Sequence, residues 1–199
     1  MNAGATAERV HGAIRRMILG REVRPGDKLD PAVLADALLT SATPVREALS
    51  VLHGQALVDA RPGGGFHVPM VDAPGLADLY AWSETVIALT LRAGSGTFPT
   101  DEAEGRAFDI ADATARLVDR IAQSSPNEEH RRAVADINAR LHPARLVEPE
   151  IIDGVASEVA RLERATDTGD IAELRAGWRR YHRRRLRAAP AIARALVRD

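Results

Sequence analysis

Apolar residues return at helical spacing near the start of the chain. Val10, Ile14, Met17 and Ile18 share one face over residues 7–19, and Gly20 ends the segment. Arg24-Pro25-Gly26-Asp27 carries turn chemistry and leads into a short extended Lys28-Leu29. Asp30 before Pro31 reads as an N-cap with proline at the first helical position. It predicts a helix over residues 31–38 that buries Val33, Leu34 and Leu38. After a turn at residues 39–42, Thr43 is expected to cap a second helix, again with proline, Pro44, at its first position. Val45, Ala48, Leu49 and Leu52 form that helix's apolar face, Arg46, Ser50 and His53 point outward, and residues 54–56 end it. Two strands follow, residues 57–61 and 66–68, around a tip of Pro62-Gly63-Gly64-Gly65 with backbone freedom at three positions. Helix, helix, turn, helix and hairpin is the order of a winged helix-turn-helix.

Residues 70–76 read as a linker, which sets the expected domains at 1–69 and 77–199. Beyond the linker no strand pattern occurs. Helices are predicted near residues 76–93, 101–124, 127–142, 148–168, 170–188 and 189–198, broken at Gly94–Pro99, Ser124–Pro126, Pro143 and Gly169. The expected fold is therefore mainly α: an N-terminal winged helix-turn-helix with a small β-hairpin, then an all-α helical bundle.

Composition narrows the chemistry. The 199 residues are 45% hydrophobic and 28% charged, enough to build a core, and with 4% aromatics that core must be mostly Leu, Val, Ile and Ala. Zero cysteine excludes a disulfide framework, a Cys-ligated zinc site and a thiol nucleophile, and fits a reducing compartment. No apolar run approaches ~18 residues, so no membrane-spanning helix is expected. The opening MNAGATAERV lacks the apolar core of a signal peptide, and the expected location is cytoplasmic. Residues 1–70 carry 8 basic and 7 acidic side chains, so a basic first half does not mark the chain. The last 30 residues hold nine arginines, which read as a solvated or ion-paired helix face.

Ser41, Thr43 and Arg46 stand at the N-terminal end of the second helix of the helix-turn-helix, the end that meets base edges in a major groove. Backbone N–H groups there attract a phosphate, and Arg46 can pair bidentately with guanine. The alternative is a surface ion pair between Arg46 and Glu47 or another carboxylate. Arg61, Gly63 and Gly64 are the wing's candidate contacts to the DNA backbone or minor groove. Enzymatic signatures are missing: Glu8–His11 is an unpaired Glu-x-x-His, and there is no His-Glu-x-x-His, nucleophile elbow or dinucleotide fingerprint. The tip glycines lack a following Lys-Ser/Thr, so they are not a nucleotide phosphate loop. No enzyme activity and no cofactor is expected.

Val10 to Val68 resembles the DNA-binding domain of GntR-family bacterial repressors. The resemblance is carried by Arg24-Pro25-Gly26-Asp27-Lys28-Leu29, Leu34-Ala35, and Ser41-Ala42-Thr43-Pro44-Val45-Arg46-Glu47-Ala48-Leu49. One departure stands out. The family usually has arginine after the serine, and here that residue is Ala42.

Residues 77–199 are similar, more weakly, to the helical ligand-sensing FCD domain of the FadR-like branch. Ser125-Pro126-Asn127 and the segment from Glu158 to Thr168-Gly169-Asp170 carry this likeness. Many such domains bind a divalent metal through an Asp or Asn and three histidines. The matching positions here are Thr114, Val118, Val159 and Tyr181, and the arginine common in the first helix is replaced by Ser83. None of the four is a credible metal ligand, so no metal is expected. A rival register uses Asn138, His142 and His182, but it sets His142 only 17 positions before Val159 and turns His182 about 100° from the slot. The resemblance implies a homodimeric repressor on a palindromic double-stranded DNA operator. Its small-molecule effector, an organic acid in the notional pocket of Ser83, Thr114, Val118, Val159 and Tyr181, would be held without metal. Arg175, Arg179 and Arg183 are further candidate partners of such an acid. Two other readings stay open: a ligand-independent DNA-binding protein, and a helical interaction module with a degenerate DNA-binding domain.

Overall fold

Helix α1 (Ala3–Leu19) buries Val10, Ile14 and Ile18, one turn apart, against the later helix α3. The computed structural model describes residues 3–100 and 109–198. They fall into two units, residues 1–71 and 72–199.

In the first unit, strand β1 (Lys28–Leu29) follows a turn in which the Asp27 carboxylate accepts the Arg24 N–H at 2.8 Å. Gly26 has a φ of +92°, a backbone conformation that favours glycine, and a Cβ there would also displace the exposed Met70 side chain, whose Sδ would lie 2.8 Å away. Asp30 caps α2 (Pro31–Ala37), its Oδ1 accepting the Ala32 N–H at 2.9 Å. Leu34 and Ala35 carry this helix into the core. Val33, expected to be buried, is 66% exposed, and Leu38 is only half-buried. Seven residues present less than two turns, so the adjoining pair 34–35 takes the inward face and position 33 turns to solvent.

Helix α3 (Ala42–Gly54) begins earlier than the sequence suggests. Its N-cap is Ser41, not Thr43, and the cap side chain makes no hydrogen bond. Pro44 is then the third helical residue, still within the first turn, where its missing N–H costs nothing. Val45, Ala48, Leu49 and Leu52 are all buried. Strands β2 (Asp59–Arg61) and β3 (Gly65–His67) complete an antiparallel sheet of order β1-β3-β2, with Phe66 opposite both Leu29 and Ala60.

The second unit is helical: α4 (Ala73–Ala93), α5 (Ile110–Gln123), α6 (Glu128–Val147), a 3-10 turn (Glu148–Glu150), α7 (Val155–Asp167) and α8 (Ile171–Val197). α4 packs on α6 and α8, α5 on α6 and α7, and α7 on α8. The expected linker 70–76 is shorter than read. Asp72 caps α4 by accepting the Gly75 N–H at 2.8 Å, so residues 73–76 are its first turn.

Pro143, expected to end a helix, does not, and the expected boundary between residues 188 and 189 is absent. Pro143 lies inside α6 and Pro190 inside α8, so the pieces 170–188 and 189–198 are one helix. Each proline removes one backbone bond, and burial continues past it: Ala144, Arg145 and Val147 in α6, Ile192, Ala193 and Leu196 in α8. The single helix expected at 148–168 is divided instead at Gly154, whose φ of +69° precedes α7. The start of the helix expected at 101–124 lies outside the described residues between 101 and 108. Among the described residues no helix is long and apolar enough to cross a membrane.

Candidate nucleic-acid interface and buried polar core

The four buried residues of α3 fix which side of that helix faces out. Ser41, Thr43 and Arg46 are all exposed at its N-terminal end. Ser41 makes no capping bond, so its side chain does not cover the first-turn N–H donors. Arg46 forms no ion pair among the described residues, with Glu47 or any other carboxylate. Its charge reaches Asp30, whose carboxyl is held below the usual range first by the Ala32 and Val33 N–H bonds, then by Lys28 and Arg46. His53 also faces solvent, yet its Nδ1 bonds the Val58 carbonyl at 2.8 Å and so ties the end of α3 to the approach of β2.

Arg61 and Gly63 are exposed on the hairpin tip, and the Gly64 N–H closes it on the Arg61 carbonyl at 2.9 Å. Backbone freedom is used at two tip positions, not three: Gly63 and Gly65 have φ of +71° and +78°, whereas Gly64 does not enter that region. A Cβ on Gly64 would sit 3.1 Å from the Arg61 Cβ.

In the helical unit Ser83, Thr114, Val118, Val159 and Tyr181 come from α4, α5, α5, α7 and α8, and all are buried. Thr114 spends its hydroxyl on its own helix, donating to the Ile110 carbonyl at 2.7 Å. Ser83 meets His182 Nε2 at 3.0 Å, while His182 Nδ1 lies 2.8 Å from the Trp178 carbonyl. A carbonyl can only accept, so Nδ1 carries the proton and Nε2 accepts the Ser83 hydroxyl. Burial holds His182 neutral, its pKa pushed down to about 3.

Sequence reasoning missed the polar groups that dominate this core. Arg185 is fully buried. Its Nε and Nη2 donate to Glu148 Oε2 at 3.0 and 2.8 Å, its Nη1 donates to Glu158, and its guanidinium lies over the Tyr181 ring. Tyr80 donates to the other Glu148 oxygen at 2.7 Å. Burial and then Glu148 push the Tyr80 hydroxyl well above its ordinary range, so it remains a donor. Arg184 reaches Glu158 from the half-exposed side at 3.0 Å.

Arg145 is a second buried guanidinium, 2% exposed, and is differently placed. Its Nη1 donates to Asn138 Oδ1 at 2.5 Å; Asn138 in turn donates to the Ala115 carbonyl and Asp119. No carboxylate pairs with Arg145 among the described residues. Its Nε, the Trp178 indole N–H and the Tyr181 hydroxyl are all buried without a hydrogen-bond partner. Tyr181 and Trp178 touch edge-on, ring centroids 4.8 Å apart. Arg145 stands beside the Tyr181 hydroxyl without completing a bond to it, and its charge opposes the upward shift that burial and Glu148 impose there.

These residues do not fit a divalent metal. Thr114, Val118, Val159 and Tyr181 supply no carboxylate or imidazole, and both ring nitrogens of His182 are engaged within the chain. In the rival register Asn138 is likewise committed, to Arg145, Ala115 and Asp119.

Residues 6–68 match the sequence profile described as "Bacterial regulatory proteins, gntR family". An uncharacterized HTH-type transcriptional regulator in an unstable DNA locus of Streptomyces ambofaciens is 38% identical over 73 residues, 37% of this chain and 31% of that protein. The chain thus spans about a third of that relative's length. Two solved structures share the fold. E. coli McbR/YncC superposes with a TM-score of 0.65 at 19% identity, over 92% of this chain and 96% of that one. A Rhodococcus sp. RHA1 protein described as a transcriptional regulator GntR gives 0.57 at 22% identity, over 98% and 100%.

Proposed function

We propose that this chain, whose residues 6–68 match the profile of the gntR family of bacterial regulatory proteins, is a cytoplasmic transcriptional repressor that binds a palindromic operator as a homodimer. The observation that carries the reading is the division of α3 into a buried face and an exposed N-terminal end bearing Ser41, Thr43 and an unpaired Arg46. A helix so divided packs by one side and offers the other to a major groove. The hairpin beside it supplies Arg61 and the tip at Gly63 and Gly64 for the phosphate backbone or the minor groove. Ala42 stands where the family usually carries an arginine, a potential guanine contact, so affinity is lower or the preferred operator differs.

In the helical unit we propose a metal-free site for a small organic acid. The buried Arg145 guanidinium has no carboxylate and its Nε no acceptor, and the Trp178 indole N–H and the Tyr181 hydroxyl are likewise buried without partners among the described residues. Burying such groups costs free energy that an anionic ligand would recover. Ser83, Tyr181 and Thr114 belong to this interior, with Val118 and Val159 as apolar lining. The ligand favours one of two arrangements of the dimer and so one DNA affinity.

Footprinting on the DNA flanking its own gene tests the reading. A protected palindrome, released or tightened by a saturating organic acid, is the expected result. Protection without symmetry, or none at any salt, contradicts it.

A further inference from the structure

Helix α4 is apolar on two sides. Its inner side carries Leu76, Tyr80, Val86, Ile87 and Leu91 into the core. Its outer side bears Asp78, Ala81, Trp82, Thr85, Ala88, Leu89 and Arg92 at i, i+3, i+4, i+7, i+10, i+11 and i+14, one stripe along the helix. All but the half-buried Leu89 are exposed, and Trp82, 50% exposed, is the largest side chain on the stripe. Thr85 turns its hydroxyl back to the Ala81 carbonyl at 3.1 Å, which spends its polar group inside the helix. Beside this stripe runs a groove of about 530 Å³ between α4 and α8, lined by Thr85, Ala88, Leu89, Arg92, Trp178 and Arg179 among others.

The charges at the two ends of the stripe identify what covers it. Asp78 and Arg92 lie seven residues to either side of Thr85, about 21 Å apart along the axis. Neither forms an ion pair among the described residues. An antiparallel copy of α4 crossing at Thr85 sets each Asp78 against the other copy's Arg92, and each Trp82 against the other copy's Ala88. The small Ala88 leaves room on the groove side, where Arg92 and Arg179 offer cation–π partners to an indole face. An arbitrary partner has no reason to match both the charge order and the large-to-small pairing about one centre; a two-fold axis matches both at once.

We infer that the outer face of α4 is the self-association surface of this chain, with two copies antiparallel about Thr85, Asp78 paired with Arg92 across the axis and Trp82 seated in the opposing α4–α8 groove. The inference rests on the dimeric reading above and adds its location and register.

Sedimentation velocity on the full chain tests it, with circular dichroism as the check on folding. The wild-type protein is a dimer at micromolar concentration. Asp78→Arg and Arg92→Asp each bring like charges together twice per dimer and weaken self-association about tenfold or more. Mixed in equal amounts, the two variants form a heterodimer within about threefold of wild-type affinity, because both cross-axis pairs are then opposite in charge. Trp82→Glu gives a folded monomer. If Trp82→Glu fails to fold, the charge-reversal pair still decides. A dimer indifferent to both reversals overturns this interface and leaves the regulator reading standing. Two reversals that weaken the dimer without rescuing each other overturn the register. A wild-type monomer at all concentrations overturns both the interface and the dimeric reading.

Discussion

The guanidinium carbon of Arg185 lies 3.4 Å from the centroid of the Tyr181 ring, one turn earlier on the same helix. The same guanidinium holds Glu148 and Glu158, so a buried cation is neutralised by two carboxylates and an aromatic face. Burial alone would lower the Arg185 pKa, but Tyr181, Glu148 and Glu158 raise it, and the group stays charged.

Arg185→Leu is therefore expected to destabilise the helical unit by about 3–5 kcal/mol, because it strands Glu148 without its ionic partner. Urea unfolding followed by tryptophan fluorescence reports this directly, since Trp82 and Trp178 both lie in that unit. A loss under about 1 kcal/mol would mean that Glu148 is protonated or hydrated once the arginine is gone.

Arg145 behaves differently because it has no carboxylate to strand. Arg145→Met is expected to change stability by no more than about 1 kcal/mol, the lost Asn138 bond offset by removal of an unpaired buried charge. Tyr181→Phe deletes a hydroxyl that has no partner and is expected to be neutral or slightly stabilising. Both substitutions should abolish the thermal shift produced by organic acids. Retention of that shift in both variants would move the effector site elsewhere.

His182 gives the helical unit an acid limit. Its folded pKa of about 3 lies below the ordinary imidazole value, so the unfolded chain binds a proton that the folded chain refuses. The stabilisation is full above the unfolded pKa near 6.5 and is lost as pH falls from there through about 3, at about 1.4 kcal/mol per pH unit. In a titration followed by NMR, its ring signals should not move between pH 8 and 5. A midpoint near 6.5 would contradict the burial and bonding described for this ring.

The wing makes a separate prediction. Arg61→Ala should lower the slope of log affinity against log salt by about one phosphate contact per half-site. Gly65→Val should weaken DNA binding by forcing a β-branched residue into a φ of +78°. A salt slope and affinity equal to wild type in both variants would mean that the hairpin does not touch DNA.

The first unit was legible in the sequence because its signals are local. Asp30-Pro31, the Gly26 turn and the 45/48/49/52 stripe each fix their own few residues. Val33 was misjudged because burial on a two-turn helix depends on what packs against it. Local propensity argues for a break at Pro143 and near residues 188–189, yet tertiary burial carries both helices through, past Pro143 and Pro190. Arg185 was hidden in the run Arg183-Arg184-Arg185, where charge suggested solvent. Its register with Trp178, Tyr181, Ala189 and Ile192 was the available signal, since that stripe is the buried side of α8. Arg145 shares a stripe with Asn138 and Leu141 in the same way. That its Nε would lack an acceptor depends on how α5, α6 and α8 meet, and no single-helix pattern contains it.

The central claim is that the exposed N-terminal end of α3 reads DNA, and Arg46→Ala tests it most directly. Fluorescence anisotropy with the footprinted operator should show a loss of about 1–3 kcal/mol per half-site, while the urea midpoint stays at the wild-type value because Arg46 packs against nothing in the core. Unchanged operator affinity in a folded Arg46→Ala protein would contradict the assignment of α3 as the recognition helix.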